Sequence, residues 1–172
     1  TLTLPQGEGP FPALLLVHGS GSNDRDETLL ANKPFRDLSW GLASRGIASL
    51  RYDKRTYVHG NKIEDLSQFT VEEEVIEDAL AALEFLRSQE EINPQEVFIL
   101  GHRLGGQLVP EIAHRDGKVA GVIILAGPTR PLSEIIAEQI EYIFSLDGQI
   151  DEKEKEQLEE IKKGRDLLKN HE

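Results

Sequence analysis

The chain has no cysteine, no methionine and one tryptophan, and its 19 basic residues are outnumbered by 31 acidic ones across 172 positions. Without cysteine there is neither a disulfide framework nor a thiolate metal site, so sulfur says nothing of the redox compartment. The formal net charge of −12 argues against a polyanionic partner, because holding phosphates takes clustered Lys and Arg that displace counterions. Nucleic acid and anionic membranes are therefore not expected. No apolar run approaches the roughly 20 residues needed to span a bilayer, and no basic, then apolar, then small-residue leader opens the chain. The expectation is a soluble mature protein, cytoplasmic by default. The missing methionine, with Thr1 in first place, points to a trimmed, excised or engineered segment of something longer.

Other ligand motifs are missing too. Gly19-Ser20-Gly21 has no third glycine three residues on, and no G-K-[ST] follows a glycine-rich loop, which excludes a dinucleotide fingerprint and a P-loop. No cofactor is expected. Asp24, Asp26 and Glu27 enclose Arg25 and lack the register of a calcium loop, so they read as loop salt bridges and caps and no metal is expected. Asp53-Lys54-Arg55 reads as an ion-pair network at a strand end.

A chain with 38% hydrophobic and 29% charged residues is ordinary for one globular domain. Residues 1–12 hold three prolines and two glycines, which favours an extended lead-in over a packed element. The run A-L-L-L-V at residues 13–17 is short enough for a strand buried on both faces. Residues 35–44 follow as a helix, with Pro34 at its first position and Gly46 at its end, and residues 47–52 give a second strand. Residues 53–69 are polar and aperiodic and read as a surface loop. Thr70 with Glu73 three residues on forms a capping-box pattern. The helix then runs to about Ser88 on a stripe of Val71, Val75, Ala79, Ala82, Leu83 and Leu86. A fourth strand lies at residues 119–126. The expected fold is α/β: a parallel twisted sheet of about four strands with right-handed crossovers and helices on both faces.

Residues 97–106, V-F-I-L-G-H-R-L-G-G, supply the third strand and the turn that organises the rest. Four apolar residues lead into a tight turn, and a helical pattern follows from Leu104 to Arg115. The residue at the tip of such a turn is forced to positive φ and needs small neighbours, which Gly101 and Gly105 provide. This is the frame of a nucleophile elbow, G-x-S-x-G, with Arg103 where the serine would stand. After residue 131 the pattern changes to two amphipathic segments, 132–146 and 152–169, with Asp147-Gly148 between them. The expected organisation is a core over residues 1–131 and a helical hairpin over 132–172, the start of a cap or lid-like segment.

Two motifs, His18-Gly19-Ser20-Gly21 leading into N-D-R-D-E-T at residues 23–28, and G-H-x-L-G-G over Gly101, His102, Leu104, Gly105 and Gly106, give the chain a clear resemblance. It is similar to the amino-terminal half of a bacterial α/β-hydrolase-fold serine esterase. The resemblance implies a small-molecule ester or acyl substrate and an oxyanion hole made of backbone N–H groups at Ser20, with Gly21, and at Leu104. It also implies that position 103 is the nucleophile position, while His18, Gly19, Gly101, His102, Gly105 and Gly106 shape the loop and elbow. In the family the acid and histidine of the triad come from strands later than any in this sequence, so none of its residues matches them. An arginine stays protonated and cannot attack a carbonyl. The expectation is a hydrolase scaffold that is inactive as written.

Local histidines could stand in for the missing base. His18 and His102 read instead as hydrogen-bonded to backbone within their turns, and His59, His114 and His171 as loop, helix surface and tail. Arg103 reads as a long side chain that snorkels to solvent from a vacated site, with an anion cradle beside the helix terminus or a deliberate inactivating substitution as alternatives. The competing reading of the whole chain is a non-catalytic module that binds an anion or assembles with itself. Family architecture places further strands beyond the four found here, and exposed sheet edges invite pairing. A homo-oligomer or a complementing chain is therefore expected.

Overall fold

The computed structural model describes residues 1–60 and 70–169, and the chain divides into two compact units, Thr1–Gly127 and Pro128–Glu172. The first unit is built on a sheet of five strands: β1 (Leu2–Thr3), β2 (Phe11–Val17), β3 (Ala48–Leu50), β4 (Ile92–His102) and β5 (Gly121–Leu125). Their spatial order is β1-β3-β2-β4-β5, all parallel except β1, which pairs antiparallel with β3 through Leu2 and Thr3. The expected set of about four parallel strands is present as β3-β2-β4-β5, with β1 added antiparallel at one edge. The lead-in supplies the difference, because two residues carry no periodicity that a sequence pattern could register.

The continuous apolar run in β2 is explained by its central position. Ala13, Leu15 and Val17 join one buried cluster with Val75, Ala79, Leu83, Leu86, Val109 and Ile112. Leu14 and Leu16 point the other way and pack with Phe35 and Leu100, flanked by Leu38 and Leu42. Side chains alternate across a strand, so a strand covered on both sides must be apolar at every position. The helices provide that cover: α1 (Pro34–Ala43) on one face, α3 (Glu77–Arg87) and α4 (Leu104–Asp116) on the other. Arg87 reaches Asp116 in two parallel hydrogen bonds of 2.7 and 2.6 Å, tying α3 to α4 near their carboxyl ends.

Part of the segment expected as loop is helical, since α2 spans Arg55–His59. The remainder of that expectation, residues 61–69, lies outside the described residues. The capping box forms as the pattern implies. Thr70 N–H donates to Glu73 Oε2 at 2.9 Å, and Glu72 N–H donates to Thr70 Oγ1 at 3.2 Å. The first turn, Glu72–Ile76, is π-helical rather than α-helical. A wider turn holds an extra residue, which rotates Val71 off the stripe and leaves it 40% exposed while Val75, Ala79, Leu83 and Leu86 are buried.

The second unit consists of α5 (Leu132–Phe144) and α6 (Glu152–Lys169), joined through a turn with Gly148 at φ +84°. Lys162 pairs with Glu141 at 3.1 Å between them. The start of α6 carries a second reciprocal cap, in which Glu154 N–H donates to Asp151 Oδ1 and Asp151 N–H to Glu154 Oε2. Among the described residues no helix is long and apolar enough to cross a membrane.

Replacing Thr70 with alanine removes the hydroxyl that caps the π-helical turn and is expected to cost about 1 kcal/mol. Urea denaturation of Thr70→Ala checks this, and a midpoint equal to the parent's would show that the cap contributes nothing.

Candidate active site

The chain leaves β2 through α1 to reach β3 on one side, then returns past β2 to place β4 on its other side. The segments that follow β2 and β4 therefore depart to opposite faces of the sheet, and the crevice between two such strand ends is where open α/β sheets hold ligands. Residues 18–33 and the turn at residues 102–103 border this crevice.

The turn after β4 is as tight as its glycines suggest. A Cβ built on Gly101 would lie 2.2 Å from the Gly105 carbonyl oxygen, and one on Gly105 would lie 2.5 Å from the carbonyl oxygens of both Val17 and His18. A Cβ on Gly106 would come within 2.8 Å of Gly127 Cα. No side chain fits at any of the three. Arg103 sits between them at φ +51° and ψ −115°, immediately before α4. Its N–H donates to the Leu125 carbonyl at 3.0 Å and its carbonyl accepts from Gln107 N–H at 3.1 Å. The side chain is exposed, and among the described residues its guanidinium forms no hydrogen bond or ion pair.

The two glycine motifs face one another. A Cβ on Gly19 would stand 3.4 Å from Arg103 Cβ and 3.6 Å from the His102 carbonyl oxygen. Gly19 is held through both its peptide groups. Its N–H donates to Glu27 Oε1 at 2.7 Å, and its carbonyl accepts from Lys54 Nζ at 3.1 Å and from Asn23 Nδ2 at 3.2 Å. The Asn23 amide also donates to the carbonyls of Ser20 and Gly21. A trans peptide is planar, so fixing the Gly19 carbonyl aims the Ser20 N–H the opposite way, and fixing the Ser20 carbonyl does the same for Gly21. Across the crevice, the N–H of Leu104 opens α4, where the first four N–H groups have no carbonyl within the helix.

Neither histidine behaves as the sequence suggests. His102 Nδ1 lies 2.8 Å from Glu27 Oε2, so its partner is a carboxylate and not backbone. Glu27 thereby bridges the two motifs and departs from its expected role as a loop salt bridge. His18 is 1% exposed, packs on Phe35 and edge-on against Tyr52, and among the described residues neither ring nitrogen makes a hydrogen bond of good geometry, the Asp24 backbone being a polar influence on the ring. Burial and then the Lys54 charge push its pKa from 6.5 down to about 4, against opposing pulls from the Asp24 backbone and from the Asp24 and Asp53 carboxylates. A neutral ring needs no counter-charge in the core. His114 lies exposed on α4 and His59 ends α2, while His171 is outside the described residues.

The remaining acidic residues nearby serve the loop. Asp24 accepts from Thr28 N–H and Oγ1, and Asp26 pairs with Arg51 and with Lys33. Asp53, Lys54 and Arg55 each form an ion pair, with Arg25, Glu74 and Asp78 respectively. Its hydrogen bond with Arg25 holds the Asp53 carboxyl below the ordinary range. Among the described residues no group of three or more His, Asp or Glu could hold a metal ion. Sequence reasoning missed Glu27 and Lys54 as site residues. Glu27 is 75 positions from His102 and Lys54 is 35 from Gly19, and no local spacing signals such partners.

The sequence profile of the Dienelactone hydrolase family matches residues 49–166. Over 145 residues the chain is 51% identical to esterase EstD of Thermotoga maritima, covering 84% of this chain and 34% of that protein. The chain spans about a third of the length of this curated relative. Its fold is similar to that of 2,6-dihydroxy-pseudo-oxynicotine hydrolase, with a TM-score of 0.60 at 20% identity over 94% of this chain and 41% of that one. It is also similar to a bacterial heroin esterase, with a TM-score of 0.57 at 21% identity over 80% of this chain and 42% of that one. Likeness at these identities is likeness of fold.

The neutral, buried state of His18 makes stability depend on pH. Its folded pKa of about 4 lies below the unfolded value of 6.5, so in that window the unfolded chain binds more protons and stability falls as pH falls. Between pH 7 and pH 5 the loss expected from this residue is about 2 kcal/mol. It is read as the difference between urea titrations of the parent and of His18→Gln, and parallel curves for the two would refute it.

Proposed function

Because the chain belongs to the dienelactone hydrolase family, we propose that its crevice is built for acyl transfer on small-molecule carboxylic esters, and that with Arg103 at the tip it does not turn such an ester over. The observation that carries this reading is the position of Arg103, at φ +51° between the end of β4 and the start of α4, against Gly19 of the facing loop. A hydroxyl at that tip would meet a carbonyl carbon whose oxygen lies between the N–H groups of Ser20, with Gly21, and Leu104. Fixed amide dipoles would stabilise the negative charge that develops on that oxygen, with no reorganisation during the reaction. Likeness to a protein named an esterase supports the substrate class. A guanidinium remains protonated and cannot be the attacking group.

The imidazoles beside the tip do not supply a base. His18 is buried and held neutral by desolvation, and His102 precedes position 103 in a tight turn, where successive side chains point apart, with its Nδ1 turned to Glu27 on the facing loop. A serine alone at position 103 therefore lacks its activator. The second reading, an anion-holding module, draws on the exposed guanidinium of Arg103, which forms no ion pair among the described residues.

The assembly proposal rests on β5. Among the described residues this strand pairs only with β4, and its Val122, Ile123, Ile124 and Leu125 are 39 to 52% exposed. An apolar edge of this kind is a template for another chain, either a second copy or a complementing one. The organisation into a core over residues 1–131 and a cap-like hairpin over 132–172 belongs to the same proposal.

Arg103→Ser is expected to hydrolyse p-nitrophenyl acetate no faster than Arg103→Ala. Turnover at least about tenfold above that control would show that a local histidine activates the hydroxyl after all. Light scattering is expected to give a mass above that of the 19.2 kDa monomer, and Ile124→Lys to lower it. A monomer at all concentrations would refute pairing with a second copy.

A further inference from the structure

We infer that Glu27 is a positioning residue, a carboxylate clasp that sets the distance and angle between the loop carrying the Ser20 N–H and the turn carrying position 103. The inference rests on the reading of the Ser20 and Leu104 N–H groups as oxyanion donors, and goes beyond it by assigning the group that holds them in register.

Glu27 is 9% exposed and adopts φ +51°, a conformation uncommon outside glycine. Both carboxylate oxygens are used, and on different loops. Oε1 accepts the Gly19 N–H at 2.7 Å, and Oε2 meets His102 Nδ1 at 2.8 Å. A carboxylate can only accept, so Nδ1 carries the proton and the tautomer of His102 is set by Glu27. His102 and Arg103 are consecutive, so the imidazole is a rigid handle on the tip. Gly19 and Ser20 are consecutive too. One side chain thus links the residue before each of the two reacting positions. The Gly19 N–H is spent on this bond, which leaves the Ser20 N–H, aimed by the Lys54 and Asn23 contacts to the Gly19 carbonyl, as the loop's donor. The alternative role, a surface ion pair, does not account for a nearly buried carboxylate without a Lys or Arg partner among the described residues.

The clasp can be tested without restoring the missing triad. The chain contains no cysteine, so Arg103→Cys introduces a unique thiol at the tip. Its thiolate attacks the carbonyl carbon of p-nitrophenyl acetate, forming a C–S bond and expelling p-nitrophenolate, and negative charge builds on the carbonyl oxygen on the way. With iodoacetamide the same sulfur forms a C–S bond and expels iodide, and no oxyanion develops. The ratio of the two second-order rates, divided by the same ratio for N-acetylcysteine, isolates help from the oxyanion donors.

In the Arg103→Cys background the normalised ratio is expected to exceed one by at least about tenfold, and to fall towards one in Glu27→Ala and Glu27→Asp. The aspartate keeps the charge but is too short to reach both loops. Glu27→Gln keeps the reach, accepting from Gly19 through its oxygen and donating to His102 through its amide, and is expected to rank above the aspartate. A cooperative thermal transition identifies folded variants. If Glu27→Ala lacks one, the order of Gln and Asp decides. A raised ratio that Glu27 substitutions leave unchanged, or that Asp preserves and Gln destroys, overturns the clasp. A ratio near one in Arg103→Cys itself overturns the oxyanion reading beneath it.

Discussion

The first turn of α4 lies so close to the ends of β2 and β4 that backbone meets backbone without side chains between. Any Cβ on Gly101 would meet the Gly105 peptide, and any Cβ on Gly105 would meet the carbonyls of Val17 and His18. This close approach turns the chain back sharply after His102 and drives Arg103 to positive φ. The strain of a non-glycine residue there, of order 1 to 3 kcal/mol, persists because the packed strands and helix on either side determine the path. The central strand's burial on both faces anchors that path in turn, since β2 can shift only by disrupting both clusters at once.

A loop in front of such a turn needs its own restraint, because residues 18–33 belong to no strand of the sheet and their β-bridge, Leu29 with Asn32, lies within the loop itself. Polar groups supply it. The peptide groups of Gly19 are held by Glu27 on one side and by Lys54 and Asn23 on the other. Lys54 is 1% exposed and is neutralised by Glu74 at 2.6 Å, so the loop is tied to the π-helical turn that precedes α3 as well as to the elbow. A buried charge without its partner is strongly destabilising, which makes the loop's position part of the fold and not a local preference. Charge elsewhere is less consequential. The exposed pairs of the second unit, such as Arg130 with Glu138, lie where solvent screens them.

Much of this was legible in the sequence wherever the cause is short-range. The elbow could be read from the glycine spacing because the contact that excludes side chains joins residues four apart, Gly101 and Gly105. The helix starts at Pro34 and Thr70 were legible for the same reason, since a cap and its partners lie within one turn. What escaped depends on distant partners. Leu2 and Thr3 become a strand only because Leu50 and Ser49 stand beside them. Glu27 looked like its acidic neighbours Asp24 and Asp26, and only the fold separates them, sending Asp26 to Arg51 and Glu27 to Gly19 and His102. Val71 fitted the helical stripe until the wider π-helical turn rotated it off the face that Val75 occupies.

The arginine at the tip shows how separable frame and chemistry are. The contacts that shape the turn use backbone atoms, the glycines around position 103 and the His102 imidazole, none of them the Arg103 side chain, and the main chain of Arg103 makes its bonds to Leu125 and Gln107 whatever side chain it carries. The guanidinium lies in solvent and disturbs none of the buried groups. Folding therefore places little demand on the side chain at this position: on the proposed reading, a change there would remove the attacking group while the amide donors, the loop and the clasp stay in place. The same logic lets family membership be visible in a chain that, on the proposed reading, carries no attacking group at the tip. The glycines are kept by steric exclusion, which folding enforces directly, whereas a reactive side chain at the tip is constrained by the reaction it performs.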